Sequence, residues 1–414
     1  MDVISTKLPF RKYLDRLGAL NNQKCIYMSE TIFMNMTVFL VLGGAGDMGS
    51  AAVRDLVFSN VERVTIADFN RVGTRKIVEE LKGGTTEVEG VFVDANDRKS
   101  LVELISHSDI VINTIGPFYK YENMVVGAAM EAGKDYVDIC DDYDATLNVV
   151  AKEGEIAKGR SRILIGMGWT PGITNVLARA GYDSLDNTTD INIGWSGSAA
   201  DASGIAVISH VFHAVTGDVP MFLDGKLEYV PARQFKKEID FPEPISRLET
   251  YFVGHPEPIT IPKFLKGVNN VTLRGALVPE WQNHLVSQFA DVGLTEDKTV
   301  KVGNVEVTSR DFLASFVHQT MEQFKSGGVE VSGFWVEIIG KKDGRKTTIE
   351  YSGADRMQKL TGWSASIGAQ EISKNKNLKP GLYAPEGAIN PESFIRELKK
   401  RNVTVKKIVR VEED

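Results

Sequence analysis

From Thr37 onward, apolar runs of strand length alternate with segments whose apolar residues recur at helical spacing. The strands read "TVFLVLG", "RVTIAD", "GVFVDA", "DIVINTI", "DYVDIC" and "RILIGM". Near-continuous apolar strands separated by helices are the pattern of a parallel sheet covered on both faces. Beyond Tyr182 the rhythm changes to strands and turns: "TDINIGWSGSA", "MFLDGKLEYVPA" with its turn at Asp224-Gly225, "NVTLRGAL" and "GFWVEIIGKKDGRKTTIEYSG". A helical segment, "ASGIAVISHVFHAVTG", interrupts them. The prediction is an α/β chain, a doubly wound parallel sheet followed by a second α+β domain with an antiparallel sheet. The expected divisions are an N-terminal extension over 1–36, a first domain over 37–168, a second over 169–354, and a segment over 355–414 that is helical and ends in the strand-like "VTVKKIVRV".

Between the first two strands lies "GGAGDMGSAAVRDLVFSN", where Gly44, Gly46 and Gly49 form G-x-G-x-x-G. Alone the motif says little. Here it leaves a buried strand, opens a helix, and is followed about 20 residues later by Asp68 at the end of the next strand, which is the dinucleotide fingerprint of a Rossmann domain. Gly44 permits the tight turn, Gly46 lets the backbone approach a pyrophosphate, and Gly49 lets the helix pack on the strand. Asp68 would accept the adenosine ribose hydroxyls and repel a 2′-phosphate, which favours NAD. NADP stays open, because Arg71, Arg75 and Lys76 follow closely and serve either a phosphate or a solvated helix face. Asp47 and Met48 in the turn, and Asp94 after the third strand, join the cofactor candidates.

The fourth strand stops at Gly116-Pro117, at the carboxyl end where such sheets bind ligands. Asn113, Thr114 and Pro117 there either border a nicotinamide or only shape a turn. The fifth strand runs into "CDDYDA", placing Asp138, Asp141, Asp142 and Tyr143 at the same edge; most of these acids read as helix caps, with Asp141 retained as a catalytic candidate. In "GMGWTPGITN" Thr170 suits an N-cap and Pro171 a first helical position. Gly172 and Ile173 would then offer free N–H groups to an anion. The alternative is a plain interdomain joint with Trp169 in the core.

Composition narrows the function. A net charge of −7 without a basic run argues against nucleic acid. Two cysteines, Cys25 and Cys140, suit a reducing, cytoplasmic setting. No apolar stretch reaches membrane-spanning length. Residues 1–36 lack the apolar core of a signal peptide and read as an extension, or as a start placed upstream of Met34 or Met36. His210 and His213 lie three residues apart without a third ligand at recognised spacing; they read as helix-packing or solvent-facing, and no metal is expected.

The glycine motif, "VFVDAND", "DIVINTIGPF", "DYVDICDD", "GMGWTPGITN", "GHPEPITIP" and "TGWSASIGAQ…GLYAPEGAINPESF" together resemble the saccharopine dehydrogenase-like oxidoreductases, including lysine 6-dehydrogenases, over nearly everything after residue 36. The resemblance implies that the last helices return to the Rossmann part, and that homo-oligomerisation, as a dimer, is the family habit. It also implies hydride transfer between a nicotinamide and a carbon bearing nitrogen in a small amino-acid or polyamine-like substrate. Such chemistry needs a group titrating near neutrality and a holder for the substrate carboxylate. His255, in the proline-flanked "VGHPEP", is the acid–base candidate. Trp169 and Gly172 are substrate-side candidates, and Arg233 and Arg274 are candidate carboxylate clamps, since a guanidinium meets a carboxylate at two points. Trp195 and Tyr143 are candidates to line a slot for a methylene chain. Two alternatives remain: reductive condensation of a carbonyl with an amine, of the carboxynorspermidine type, or a sensor that binds dinucleotide without turning it over.

Overall fold

The computed structural model describes residues 37–201 and 204–412, so the expected extension over 1–36, with Cys25, lies outside the described residues. The first lobe runs β1 (Val38–Leu42), α1 (Asp47–Phe58), β2 (Arg63–Asp68), α2 (Arg71–Glu80), β3 (Glu87–Phe92), α3 (Arg98–Ser106), β4 (Ile110–Asn113), α4 (Phe118–Ala132), β5 (Asp135–Asp138), α5 (Tyr143–Val150) and β6 (Arg162–Leu164). These strands are parallel in the order β6-β5-β4-β1-β2-β3. Order reverses at β1, which has β2 on one side and β4 on the other, so the loops leaving β1 and β4 diverge and open a crevice. Every residue of β4, and all but the first of β1, is buried, as helices on both faces require.

The second lobe follows with α6 (Ile173–Tyr182), β7 (Asn187–Ser198), α7 (Ile205–Ala214), β8 (Asp218–Leu223), β9 (Lys226–Pro231), β10 (Lys237–Asp240), β11 (Arg247–Phe252), α8 (Glu257–Phe264), β12 (Asn270–Val278), α9 (Trp281–Asp291), the small hairpin β13 (Thr299–Val302) and β14 (Val305–Thr308), α10 (Ser309–Gln319), β15 (Ser332–Lys342) and β16 (Arg345–Asp355). Two tight hairpins carry positive φ at both central residues, 49° and 78° at Asp224 and Gly225, 51° and 78° at Asp343 and Gly344. That twist matches the flanking strands. The sheet is mixed, not antiparallel throughout: β12 runs parallel to β7 over nine paired residues, because α7, α8 and four strands intervene and form a long crossover.

The chain then returns. Helix α11 (Met357–Lys374) packs on α1, β17 (Gly381–Tyr383) adds to β6 as the seventh parallel strand, α12 (Pro391–Lys400) follows, and β18 (Lys406–Val411) pairs antiparallel with β16 in the other sheet. Among the described residues no helix is long and apolar enough to cross a membrane.

Helix α6 begins later than Thr170-Pro171. The Thr170-Pro171 bond is cis, Gly172 is the N-cap, and Ile173 is the first helical residue. Between Gly168 and Gly172 the chain folds back on itself, with the Gly168 N–H donating to Pro171 O at 2.9 Å. Gly172 sits at φ +133°, and a Cβ there would lie 1.9 Å from Gly168 O, so only glycine fits.

One buried ion pair secures the returning segment. Arg401, just past α12, donates from Nε to Asp55 Oδ1 at 2.5 Å and from Nη2 to Asp55 Oδ2 at 2.9 Å, with both side chains at most 4% exposed. Burial pushes the Asp55 carboxyl up, and Arg401 opposes that shift. We expect Arg401→Met to lower unfolding stability in urea by about 3 kcal/mol, because it strands a buried carboxylate. Adding Asp55→Asn should recover part of the loss.

Candidate active site

A cavity of about 180 Å³ lies where the two lobes meet. Its first-lobe wall is Met48 from α1, Thr114 and Pro117 after β4, and Ile139, Asp141 and Asp142 after β5. The second lobe supplies Trp169 and Thr170 from the joint, Trp195 from β7, His210 from α7 and His255 after β11. Trp169 and Trp195 meet edge to face at 6.4 Å, and their buried indole N–H groups have no acceptor among the described residues.

Across this wall runs a continuous chain of hydrogen-bonded side chains. His210 Nδ1 lies 2.9 Å from Asp142 Oδ1 and 3.4 Å from Asp141 Oδ1. On the other side, His210 Nε2 is 3.2 Å from His255 Nε2. His255 Nδ1 is 3.0 Å from Glu257 Oε2, and Glu257 Oε1 accepts from the Thr170 hydroxyl at 2.6 Å and the Thr174 hydroxyl at 3.2 Å. Two imidazole nitrogens facing each other need one proton between them. A His210 imidazolium donates to Asp142 and to His255, and a neutral His255 donates its other N–H to Glu257, so each short contact has one donor.

The charges agree with this assignment. Burial works against a charged His210, yet Asp141 and Asp142 hold its pKa up at about 9. Burial also opposes the Asp142 charge, but the hydrogen bond from His210 keeps that carboxyl below its usual value. Asp142 stands at the N-cap position of α5 without capping it, because its oxygens serve His210 and the Tyr119 N–H. Asp141 differs: its side chain keeps 31% exposure, and the enclosing walls, opposed in part by His210, lift it to about 6. Asp141 is therefore the carboxylate that a molecule in the cavity can reach, and Asp142 is the one that fixes the imidazolium.

A dinucleotide fits the turn after β1. The first N–H groups of α1 have no intrahelical acceptor. A Cβ at Gly49 would come within 2.3 Å of Gly43 O, so this cradle tolerates no side chain there. Asp68 accepts from the Ala45 N–H at 2.9 Å and the Asn70 N–H at 2.8 Å, which ties the glycine turn to the end of β2 while leaving each oxygen a further lone pair. The turn residues Gly44, Gly46, Asp47, Met48 and Gly49 would hold the diphosphate.

Several other candidates lie elsewhere. Asn113 points inward, its amide bonded to Tyr136 OH at 2.9 Å, and is absent from the cavity wall. Asp94 closes its own turn on Asn96 at the exposed end of β3. Arg71 stacks over Phe92, 3.8 Å from the ring centroid. Gly172 and Ile173 offer no free donors: the Gly172 N–H goes to Asn175 Oδ1 at 3.0 Å and the Ile173 N–H to Gly168 O at 3.1 Å. Arg233 instead binds Ser287 O and Asp291, and Arg274 donates to Phe235 O and stacks over Phe252; neither reaches the cavity. Burial lowers the Arg274 pKa to about 10, opposed in part by the Glu337 charge, while its direct contacts are that carbonyl and ring. Tyr143 is also outside the cavity, stacked on His213 at 5.3 Å.

His210, expected as a packing or surface residue, is the hub of the network, whereas its neighbour His213 does pack, against Tyr119 and Tyr143. Asp141, Asp142 and His210 also place ligand atoms within 4.8 Å of one another. The His210–Asp142 hydrogen bond and the His210–Asp141 ion pair draw these atoms together.

The network sets a pH dependence. A histidine whose pKa is raised on folding adds stability that is complete below its unfolded value near 6.5 and lost as pH rises through about 9. Urea unfolding across that window should show stability falling with pH, and His210→Gln should flatten the slope.

Residues 39–160 match the family described as "Saccharopine dehydrogenase NADP binding domain", and residues 168–403 match "Saccharopine dehydrogenase C-terminal domain". The fold is similar to that of apo histidine-tagged saccharopine dehydrogenase (L-Glu forming) from Saccharomyces cerevisiae, at a TM-score of 0.68 and 16% identity, covering 90% of this chain and 100% of that one. In sequence, 109 residues are 31% identical to a "Lipid droplet localized protein" of Caenorhabditis elegans, 24% of this chain and 25% of that protein. Another 86-residue match is 29% identical to a "7alpha-hydroxysteroid dehydrogenase" of Bacteroides fragilis, 19% of this chain and 33% of that protein. The chain thus spans about a quarter to a third of the length of these curated relatives. The two family matches, meeting at the joint where the lobes enclose the cavity, place the chain in the saccharopine dehydrogenase family of NAD(P)-binding oxidoreductases.

Proposed function

We propose that this oxidoreductase transfers a hydride between a nicotinamide and a carbon bearing nitrogen, so that amine and NAD(P)+ give imine, NAD(P)H and a proton. The observation that carries the reading is the charge of the cavity wall: Asp141 and Asp142 against a single His210 imidazolium, with no lysine or arginine among the described lining residues. A surplus carboxylate beside two indole rings suits a substrate cation. The bound nicotinamide supplies the hydride acceptor, and the chain's own residues handle the proton.

Asp141 takes the proton from the substrate ammonium, since only a neutral amine has a lone pair to assist hydride loss. Held at about 6, it is ionised at neutral pH and still close enough to neutrality to exchange a proton. His210, fixed by Asp142, stabilises the ionised form of Asp141. His255 and Glu257 position the imidazolium from behind, and Thr170 ties that support to the joint between the lobes.

The rate profile tests this. kcat/KM should rise with an apparent pKa near 6 and fall with one near 9, as Asp141 ionises and His210 loses its proton. Asp141→Asn should lower kcat/KM by about 10²–10⁴-fold and abolish the acid limb while leaving NADH affinity unchanged. An unchanged profile in that variant would remove Asp141 from the chemistry.

The same reading takes NAD as the preferred coenzyme, because the Asp68 carboxylate at the end of β2 would meet a 2′-phosphate with like charge. Asp68→Ser should narrow the ratio of NAD to NADP affinity, measured by calorimetry. A wild-type preference for NADP would overturn the assignment.

A further inference from the structure

The cavity is divided by chemistry. Its acidic residues sit at the end formed by the first lobe and the joint. Beyond Trp195 the wall is Leu285, Val286 and Phe289 from α9, Val317 from α10, and Met321 and Phe324 just after it. The one amide among the described residues on that side, Gln282, donates to Phe324 O at 2.6 Å. Arg233 and Arg274, the basic residues nearest in sequence terms to a carboxylate clamp, are committed outside the cavity. A substrate carboxylate entering this end would be stripped of water with no lysine or arginine among the described lining residues to meet it.

We propose that the substrate is an amine whose remaining bulk is an uncharged apolar chain or ring, seated against α9 and α10, and that it carries no carboxylate. This rests on the amine reading above for one end of the molecule only. The apolar end stands on the wall itself. Amino group and nicotinamide share the acidic end, and the hydrocarbon portion extends away from the sheet, where each buried methylene adds affinity.

The experiment uses the full chain with NADH bound and follows quenching of intrinsic tryptophan fluorescence by primary amines from butylamine to octylamine. 6-Aminohexanoate and lysine serve as the carboxylate-bearing counterparts of hexylamine. Affinity should increase about fourfold per methylene, the equivalent of about 0.8 kcal/mol. 6-Aminohexanoate should bind at least tenfold more weakly than hexylamine, since its carboxylate meets an apolar wall without a cation. Val286→Asp should flatten the chain-length series while leaving NADH affinity intact, and Leu285→Arg should shift preference toward 6-aminohexanoate. A flat series in the wild type, or lysine or 6-aminohexanoate binding as tightly as hexylamine, overturns the proposal. Turnover with NAD+ is read separately. If alcohols of the same chain lengths are oxidised and amines are not, the C–N reading falls and the apolar site stands. If lysine is oxidised and the series is flat, the reverse holds.

Discussion

The pairing of Asp142 with His210 is the contact on which the site depends. Asp142 belongs to the parallel-sheet lobe and His210 to a helix of the second lobe, and both are buried. Neither could stay charged alone in that place, since isolated charges in an apolar interior neutralise or pull in water. Together they hold one proton between the lobes, and the remaining polar groups follow from that. The second nitrogen of His210 needs an acceptor and finds His255, which in turn needs Glu257, whose other oxygen is met by two threonine hydroxyls at the joint. The chain of demands ends at Thr170, next to the turn where the polypeptide passes from one lobe to the other.

That turn therefore has a structural task in place of the anion-binding one its sequence suggests. Its amides are consumed internally, by Asn175, Gly168 and Pro171. What it presents to the cavity is the Trp169 ring and the Thr170 hydroxyl. A helix N-terminus is an anion site only while its N–H groups are free. Here a side chain and a folded-back backbone have used them, which agrees with a cavity whose own charge is negative.

The fold was legible because it is written in local periodicity. Apolar strands, helix spacing and a glycine turn at the correct interval specify a parallel sheet with a crevice beyond β1 and β4, and Asp224-Gly225 marks the first of the two tight hairpins. The site was legible only in part, because its members come together from four stretches far apart in the chain. Asp141 and His255 stood out by residue type and setting. His210 did not, since nothing between residues 205 and 214 distinguishes a histidine facing two aspartates from one packed on tyrosines; its neighbour His213 has the latter fate on the same helix. Arg274 misled for a related reason. An arginine in an apolar strand needs a partner, and sequence cannot say that a carbonyl and a phenyl ring will supply it.

The returning segment explains why two lobes can hold such short contacts in register. Helix α11 crosses α1 so closely that a Cβ at Gly362 would lie 2.6 Å from Met48 O. Met357 and Thr361, about one turn apart on the same helix, face the cavity with Met48 itself. The helix that opens the dinucleotide turn is thus packed directly against a helix continuous with β16 of the second sheet. β18 then pairs back onto β16, while β17 has joined the first sheet. A chain stitched into both sheets in this way resists hinge opening at the cavity, so the cofactor edge and the apolar wall are parts of one packed body. Proton-holding residues from opposite lobes can then stay within about 3 Å of each other without a ligand to draw them together.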